Sequence, residues 1–503
     1  MNINYIFQNE RAGSADGKIT FDFGGKALSP EAEITLLWGI EENGETVALP
    51  DYTPVAKLNA ETAKDELVID KQLCIPVGVT ALVARLCDGE QTEKAIFNIP
   101  PKKQAKDRGK PLYTVGFASD FHIGGWGSDA YPKEGLIKAR EEFNKLVDFL
   151  VTEGDLIQWH GCFSGAEFKK YNFDGKNWGD NGERSPEFVG IGTSQWQMLE
   201  DYLKDFTIPV YHCQGNHDII DEDHWSPMCG NEDYFGKFLT KWIKQSEESG
   251  KYETRIVRDE SVHYYETTVK GHKFVFTEAP RPFSPHDQVG KEQLEWLDKV
   301  LFDGEESGKP IFVMGHSPIE PTLNKKTAYA KFTDLEDFRA ILDKHPTVIY
   351  VSGHSHFTLD TLVKNAVDKH QEKASHLHNG GMTTTVNPPP MKQYNITHGT
   401  VAEVYEDGIL IRGRNHTEAK WISLGLCEFI FKKPCLSGNV SIERNGSTFS
   451  AKAENTDGVE FEWYLDGKKA ASGAIFECDA TCGYVALRAT DKNGGFKSVI
   501  YDL

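Results

Sequence analysis

Five short motifs hold the side chains best suited to chemistry in this chain: Ser119-Asp120-Phe121-His122, Gly154-Asp155, Gly215-Asn216-His217-Asp218, Gly315-His316 and Gly353-His354-Ser355-His356. They supply carboxylate, carboxamide and imidazole groups and no thiolate. Oxygen and nitrogen donors of this mix suit zinc, manganese or iron. The lack of cysteine argues against a closed structural zinc site and leaves coordination room for water or substrate. One carboxylate can bridge two cations about 3.5–4 Å apart, and such a pair can clamp the attacking and leaving oxygens of an in-line displacement at phosphorus. Taken singly, each residue has an ordinary alternative: an aspartate after a strand is commonly a turn former, and a lone histidine a hydrogen-bonded turn residue. His354 and His356 alternate by two, so on an extended strand they would share one face and reach one cluster.

The elements that must position these groups are short apolar strands alternating with amphipathic helices. The pattern predicts strands at Tyr113–Ala118, Asp148–Thr152, Pro209–Cys213, Lys273–Glu278, Ile311–Met314 and Thr347–Val351. It predicts helices at Gly135–Leu146, Ser194–Asp205, Tyr234–Ser246, Lys291–Leu301 and Leu335–Leu342, the last capped by Asp334. Such alternation implies an α/β core. Each motif closely follows a predicted strand, and in α/β sheets the carboxyl ends of strands gather on one edge where ligands bind. Residues 156–192 and 219–233 lack periodicity and read as rims or lids of the site, with ordinary surface insertions as the alternative.

The flanks have a different texture. Residues 1–105 carry alternating strands such as Ile19–Phe23 and Ile34–Trp38, separated by turns at Gly24-Gly25, Asn43-Gly44 and Asp88-Gly89. They read as a β-sandwich, followed by a polar, proline-flanked linker at Pro100–Pro111. Strand texture returns from about residue 431. There Trp463 resembles the buried tryptophan of an immunoglobulin-like strand, and Gly483-Tyr484 resembles a tyrosine corner, without the matching pair of inter-sheet cysteines.

Length and charge narrow the function. A chain of 503 residues needs more than one core. The formal charge of −21 repels nucleic acid and anionic membranes, and any phosphate chemistry then needs local positive charge, which bound cations would supply. No apolar run is long enough for a membrane span, and the start lacks the pattern of a secretory signal, so a cytoplasmic protein is expected. Nine scattered cysteines without a Cys-x-x-Cys fit reduced thiols.

The five motifs, in this order, resemble those of the calcineurin-like metallophosphoesterase superfamily across residues from about 113 to 420, and Gly399–Arg414 is similar to the family's closing strands. The resemblance implies an α/β (α+β) fold with a four-layer core of two mixed β-sheets flanked by helices. With the flanks, this gives an N-terminal β-sandwich (1–105), a metallophosphoesterase domain (106–425) and a C-terminal immunoglobulin-like β-domain (426–503). It implies that Asp120, His122, Asp155 and His356 hold one metal ion, that Asp155 bridges, and that Asn216, His316 and His354 complete a second. It further implies hydrolysis of a phosphate ester by a metal-bridging hydroxide. His217 would donate to the leaving-group oxygen, and Asp218 would orient His217, a helix-start or turn role remaining open for Asp218.

The ions implied are manganese, zinc or iron. One departure is Gln158, where the family has Asp or Asn and its purple acid phosphatase branch a tyrosine, so phenolate-to-iron chemistry is not expected. Two alternatives stay open. One is a phosphodiesterase rather than a monoesterase, favoured by the scarcity of Lys and Arg near the motifs. The other is a non-catalytic binding or scaffold protein with a relic metal site, although no ligand is missing. The expected partner is a phosphoester, with neither nucleic acid nor membrane.

Overall fold

The alternating apolar segments fold into two mixed sheets packed face to face. The computed structural model describes residues 1–8, 12–59, 67–123, 134–157, 186–218, 234–252, 256–278, 289–319, 335–356, 358–359, 367–368, 375–378, 385–386, 393–394, 396–423, 427–431, 435–454 and 457–503. The core strands are β1 (Tyr113–Ala118), β2 (Phe149–Glu153), β3 (Val210–Cys213), β4 (Tyr265–Val269), β5 (His272–Phe276), β6 (Ile311–Met314), β7 (Val348–Ser352), β8 (Ser375–His378), β9 (His398–Val404) and β10 (Gly408–Asn415). The helices are α1 (Glu134–Leu146), α2 (Pro186–Leu203), α3 (Tyr234–Ser249), α4 (Lys291–Gly304) and α5 (Leu335–Lys344).

One sheet runs β3-β2-β1-β9-β10 and continues to Lys420–Trp421, with Cys427–Phe431 also pairing with β10. The other runs β4-β5-β6-β7-β8 and continues to Val367–Asp368. Strands β1 to β3 are mutually parallel, as are β5 to β8. Strand β9 returns antiparallel beside β1.

The period of two decides which layer each residue joins. Phe274 and Phe276 of β5 and Phe312 and Met314 of β6 share a core with the first sheet, whereas Val275, Ile311 and Val313 face the other way. Phe117 meets Phe312 at 5.9 Å and Phe149 meets Phe274 at 5.4 Å, closing the gap between the sheets. Leu136, Ala139 and Phe143 of α1 and Phe238 and Trp242 of α3 cover the first sheet. Leu297 and Leu301 of α4 and Phe338 and Leu342 of α5 cover the second.

Several expectations need correction. Helix α2 starts at Pro186 rather than Ser194, entering a stretch read as loop, and the β4 strand was absent from the predicted set. The linker is not free along its whole length. Pro101–Lys103 forms a 3₁₀ turn, the Gly13 N–H donates to the Lys103 carbonyl at 3.0 Å, and the Lys103 ammonium lies 5.5 Å from the Phe7 ring. A long lysine stem buries readily along an apolar surface. Most of the two expected rim loops, with Gln158 and Asp334, lies outside the described residues.

Each flank builds its own core. Among residues 1–98, a three-stranded and a five-stranded sheet share Ile19, Ile34, Leu36, Trp38 and Leu82. After residue 439, sheets of three and four strands enclose Phe449, Trp463, Phe476 and Leu487. Trp463 is fully buried and donates its indole N–H to the Gly473 carbonyl at 2.7 Å. The Tyr484 hydroxyl does not cap a corner of its own sheet. It donates to Asp298 on α4 at 3.2 Å, joining this flank to the core.

Candidate metal centre

The carboxyl ends of β1, β2, β3, β6 and β7 bring all five motifs to one edge, and backbone hydrogen bonds keep the loops together beyond the strands. The Asp120 N–H donates to the Gly154 carbonyl (3.0 Å), His122 N–H to Asp155 (3.0 Å) and Gly353 N–H to His316 (2.9 Å). Glycine permits the closest approach. A Cβ on Gly215 would lie 2.1 Å from the Asp155 nitrogen, so no larger residue fits between the loops after β2 and β3.

Backbone strain concentrates here. Nine non-glycine residues among those described have positive φ, and five of them are Asp120 (58°), His122 (45°), Asp155 (52°), His354 (73°) and His356 (57°). Each left-handed residue costs of order 1–2 kcal/mol, so the surrounding hydrogen bonds must over-determine the turn. This corrects the strand-face argument for His354 and His356. Strand β7 ends at Ser352, and tight turns rather than the pleat aim the two rings.

The ligand-capable atoms of Asp120, His122, Asp155 and His356 lie within 4.8 Å of one another. Those of Asp155, His316 and His354 form a second such group, so Asp155 belongs to both. His122 Nε2 stands 3.0 Å from His356 Nε2, and His316 Nε2 stands 3.0 Å from His354 Nδ1. Nitrogens each about 2.0–2.1 Å from one ion are about 3 Å apart, so both pairs have the spacing of neighbours in a coordination shell. The donor set and its geometry therefore fit two cations.

Outer contacts orient these atoms. Asp120 Oδ2 accepts the Ser119 hydroxyl (2.6 Å) and the His354 N–H (3.0 Å), while Oδ1 faces His356 Nε2 at 3.1 Å. Asp155 Oδ1 accepts the His217 N–H at 2.8 Å, and Oδ2 lies 3.1 Å from His316 Nε2. His316 Nδ1 stands 2.7 Å from the Glu153 carbonyl, which selects the Nδ1–H tautomer and presents Nε2 to the cluster. Ser119 of the first motif has a task that the motif alone does not assign, fixing Asp120 Oδ2. A hydroxyl directly before the first aspartate was the available signal.

Burial opposes charge throughout, and the balance differs by residue. It pushes Asp120 up, but the His356 charge and hydrogen bonds with His122 and His356 hold the carboxyl well below its usual range. Asp155 is likewise held low, by His316 and His217 against burial. Burial lowers His316 too, yet the Asp155 charge and hydrogen bond raise it to about 10. Burial, with a neighbouring imidazole, lowers His122 to about 3 and His354 to about 4. His122 and His354 thus face two ionised carboxylates as neutral imidazoles, the state in which such groups ligate, whereas His316 would have to give up a proton to do so.

The third motif occupies the turn after β3. Asn216 is half-buried directly ahead of His217. His217 is 17% exposed, packs edge-on against His122 at 4.6 Å and holds Nε2 3.9 Å from Asp155 Oδ2. Asp218 is buried, and both of its oxygens are engaged by the backbone. Oδ1 accepts Leu156 N–H (2.9 Å) and Ile157 N–H (3.2 Å), and Oδ2 accepts Gly215 N–H (2.8 Å). Burial, then the Asp155 charge, pushes its carboxyl up to about 8. Its observed contacts fasten the loop after β2 to that after β3, a task different from the expected orientation of His217.

Buried carboxylates and imidazoles shared through one aspartate, at the carboxyl edge of two mixed sheets, define a candidate two-ion hydrolytic centre. Residues 113–357 match the model for the calcineurin-like phosphoesterase family. The chain is similar to a protein of Arabidopsis thaliana named manganese-dependent ADP-ribose/CDP-alcohol diphosphatase, with 36% identity over 69 residues, 14% of this chain and 22% of that protein. The protein of the same name from Xenopus tropicalis is 25% identical over 131 residues, 26% of this chain and 34% of that one. The chain thus spans between a fifth and about a third of the curated relatives it matches. Among solved structures, a dimetal phosphatase from Danio rerio aligns with 15% identity and a TM-score of 0.39, covering 64% of this chain and all of that one. Vps29 from Entamoeba histolytica in complex with zinc aligns with 12% identity and a TM-score of 0.24, covering 63% and 98%.

Proposed function

We propose that this chain is a metal-dependent phosphoesterase whose substrate is a diester or diphosphate ester. The observation that carries the reading is the pair of ligand groups sharing Asp155. In this reading Asp120, His122, Asp155 and His356 hold one cation, and Asp155, Asn216, His316 and His354 hold the other. When bound, the two cations supply Lewis acidity and positive charge at the phosphoryl oxygens. Manganese has the support of the named relatives, and the nitrogen and oxygen donors also accept zinc or iron.

The chain's own residues supply alignment and a proton. Ser119 and the His354 amide fix the Asp120 carboxylate, and the His217 amide fixes Asp155. His217, partly exposed beside the cluster, donates a proton to the leaving oxygen. Asp218 acts as the clamp between the loops after β2 and β3 that carry Asp155 and Asn216. The diester or diphosphate preference rests on the named relatives. The domain limits 1–105, 106–425 and 426–503, with sandwich architecture for both flanks, are supported by the separate apolar cores.

The test is chelation, reloading with manganese, zinc or iron, and metal analysis beside turnover of an aryl monoester, a bis-aryl diester and a nucleoside diphosphate ester. About two ions per chain and faster turnover of the diester or diphosphate are expected. A His217→Ala variant should lose about a hundredfold on substrates with an alkoxide leaving group and much less on aryl esters, whose leaving group needs no proton. Two bound ions without turnover of any ester would favour the scaffold alternative.

A further inference from the structure

We infer that Glu278, held by His263 at the edge that carries the candidate metal centre, selects substrates whose alcohol portion bears a hydroxyl group. The inference rests on the phosphoesterase reading above and names a part of the substrate which that reading leaves open.

Register places the pair. In the second sheet Phe276 of β5 lies between Tyr265 of β4 and Met314 of β6. The ladder continues past the end of β5, where the Thr277 N–H donates to the Met314 carbonyl at 2.9 Å. Glu278 therefore stands beside His316, with His263 on its other side. Adjacent strands are about 4.8 Å apart, so Glu278 is about one strand spacing from a member of the second ligand group, and His263 about two. Alternation gives the direction. Tyr265, Phe276 and Met314 point into the core between the sheets, and positions two residues away keep that face. His316 does so, reaching Asp155 at 3.1 Å. His263 does so too, its Nδ1 lying 3.1 Å from Nε2 of Gln214, which follows β3 in the first sheet.

The Glu278 carboxylate belongs to neither ligand group. Its Oε1 lies 3.3 Å from His263 Nδ1, which fixes the side chain, yet that side chain is 29% exposed and a ligand can reach it. Oε1 is the oxygen so engaged, and Oε2 remains to accept a further hydrogen bond. A carboxylate in this place is selective by charge. It repels a further phosphate group, and an ammonium group would meet the cations of the neighbouring centre. A neutral hydroxyl meets neither penalty and donates to a charged acceptor, the stronger kind of hydrogen bond. Sites that pair a substrate hydroxyl reject the analogue that lacks it.

The experiment uses the full chain loaded with manganese and three p-nitrophenyl phosphodiesters with one leaving group, the glyceryl, propyl and choline esters. Nitrophenolate release gives kcat/KM, and calorimetry gives affinity. The glyceryl ester should exceed each of the others about tenfold in kcat/KM. Glu278→Ala should bring the glyceryl-to-propyl ratio to about one. Glu278→Gln, which keeps the shape with a weaker acceptor, should fall between, and it decides if the alanine variant does not fold. A merely structural role would slow all three esters together and keep the ratio, which overturns the proposal. Equal wild-type rates for the glyceryl and propyl esters, or a preference for the choline ester, overturn it as well. If no ester is cleaved, the phosphoesterase reading fails. The affinity ratio in wild type and Glu278→Ala then decides for Glu278 separately.

Discussion

The candidate metal centre and the seam between α4 and the last strands both bury carboxylates against histidine, yet only the seam adds a lysine and an arginine, Lys344 and Arg488. At the seam, Glu305 is fully buried. It accepts Arg488 Nη2 at 2.9 and 2.8 Å, the Ser498 hydroxyl, and pairs with His345 Nδ1 at 2.8 Å. His345 Nε2 meets Asp298 at 3.0 Å, and Lys344 donates to Asp298 and to the Gly467 carbonyl, each at 2.7 Å. None of Asp298, Glu305, Lys344, His345 and Arg488 is left-handed. At the metal centre, imidazole nitrogens face one another at 3.0 Å, and five of the residues sit in strained turns. A charge cluster complete in itself ties the last strands to α4 and α5. Carboxylates and imidazoles that converge in strained turns have the arrangement of a candidate metal site.

The sharpest way to break this comparison is to alter the shared carboxylate. Asp155→Asn should lower turnover at least a thousandfold, about 4 kcal/mol in barrier, and reduce bound cations from two per chain to one or fewer by metal analysis. Retention of two ions and activity would remove Asp155 from the shared role. Next in size, Arg488→Met should destabilise the protein by about 3–5 kcal/mol in urea unfolding, because Glu305 is left buried and unpaired. Adding Glu305→Leu should recover much of that loss, while the metal content of folded protein stays the same in both variants.

Acid should weaken the seam in a defined window. Burial opposes ionisation of Glu305, but Arg488 and His345 hold its carboxyl at about 2, below its ordinary value near 4.5. A carboxyl lowered on folding contributes stability that is full above the unfolded value and is lost as pH falls through the folded one. Stability should therefore drop by about 3 kcal/mol between about pH 4.5 and 2 from this group. The difference between wild type and Glu305→Gln in urea midpoints across that range isolates it, and parallel curves would refute the assignment. The smallest effect is expected for Ser119→Ala, which frees one oxygen of Asp120. Metal affinity should fall about 10–100-fold with little change in thermal stability, by competition with a chelator.

Much of the core was legible because its signals are local. Strands Tyr113–Ala118 and Ile311–Met314 have the predicted limits, and the other predicted strands shift by at most two residues at either end, since strand ends depend on pairing partners. Strand Tyr265–Val269 was missed because its alternation is weak in isolation and becomes clear only opposite His272–Phe276. Helix α2 was cut short because Gly190 and Gly192 resemble loop residues. Pro101–Lys103 was read as linker because nothing local shows that Phe7 lies beside Lys103.

At the site, the sequence by itself determined which atoms were available: the carboxylates, imidazoles and carboxamide of the five motifs, each set just after a strand. The tertiary structure decided how they are shared. Only folding places Asp155 in both ligand groups, separates His354 from His356 despite their adjacency, and spends Asp218 on backbone amides. It also decided that Asp298, Glu305 and His345, the same side chains in another setting, form a seam. The physical reason is that residue type sets donor chemistry, whereas convergence requires specific φ values and contacts between segments up to 236 positions apart, from Asp120 to His356. No local pattern encodes either.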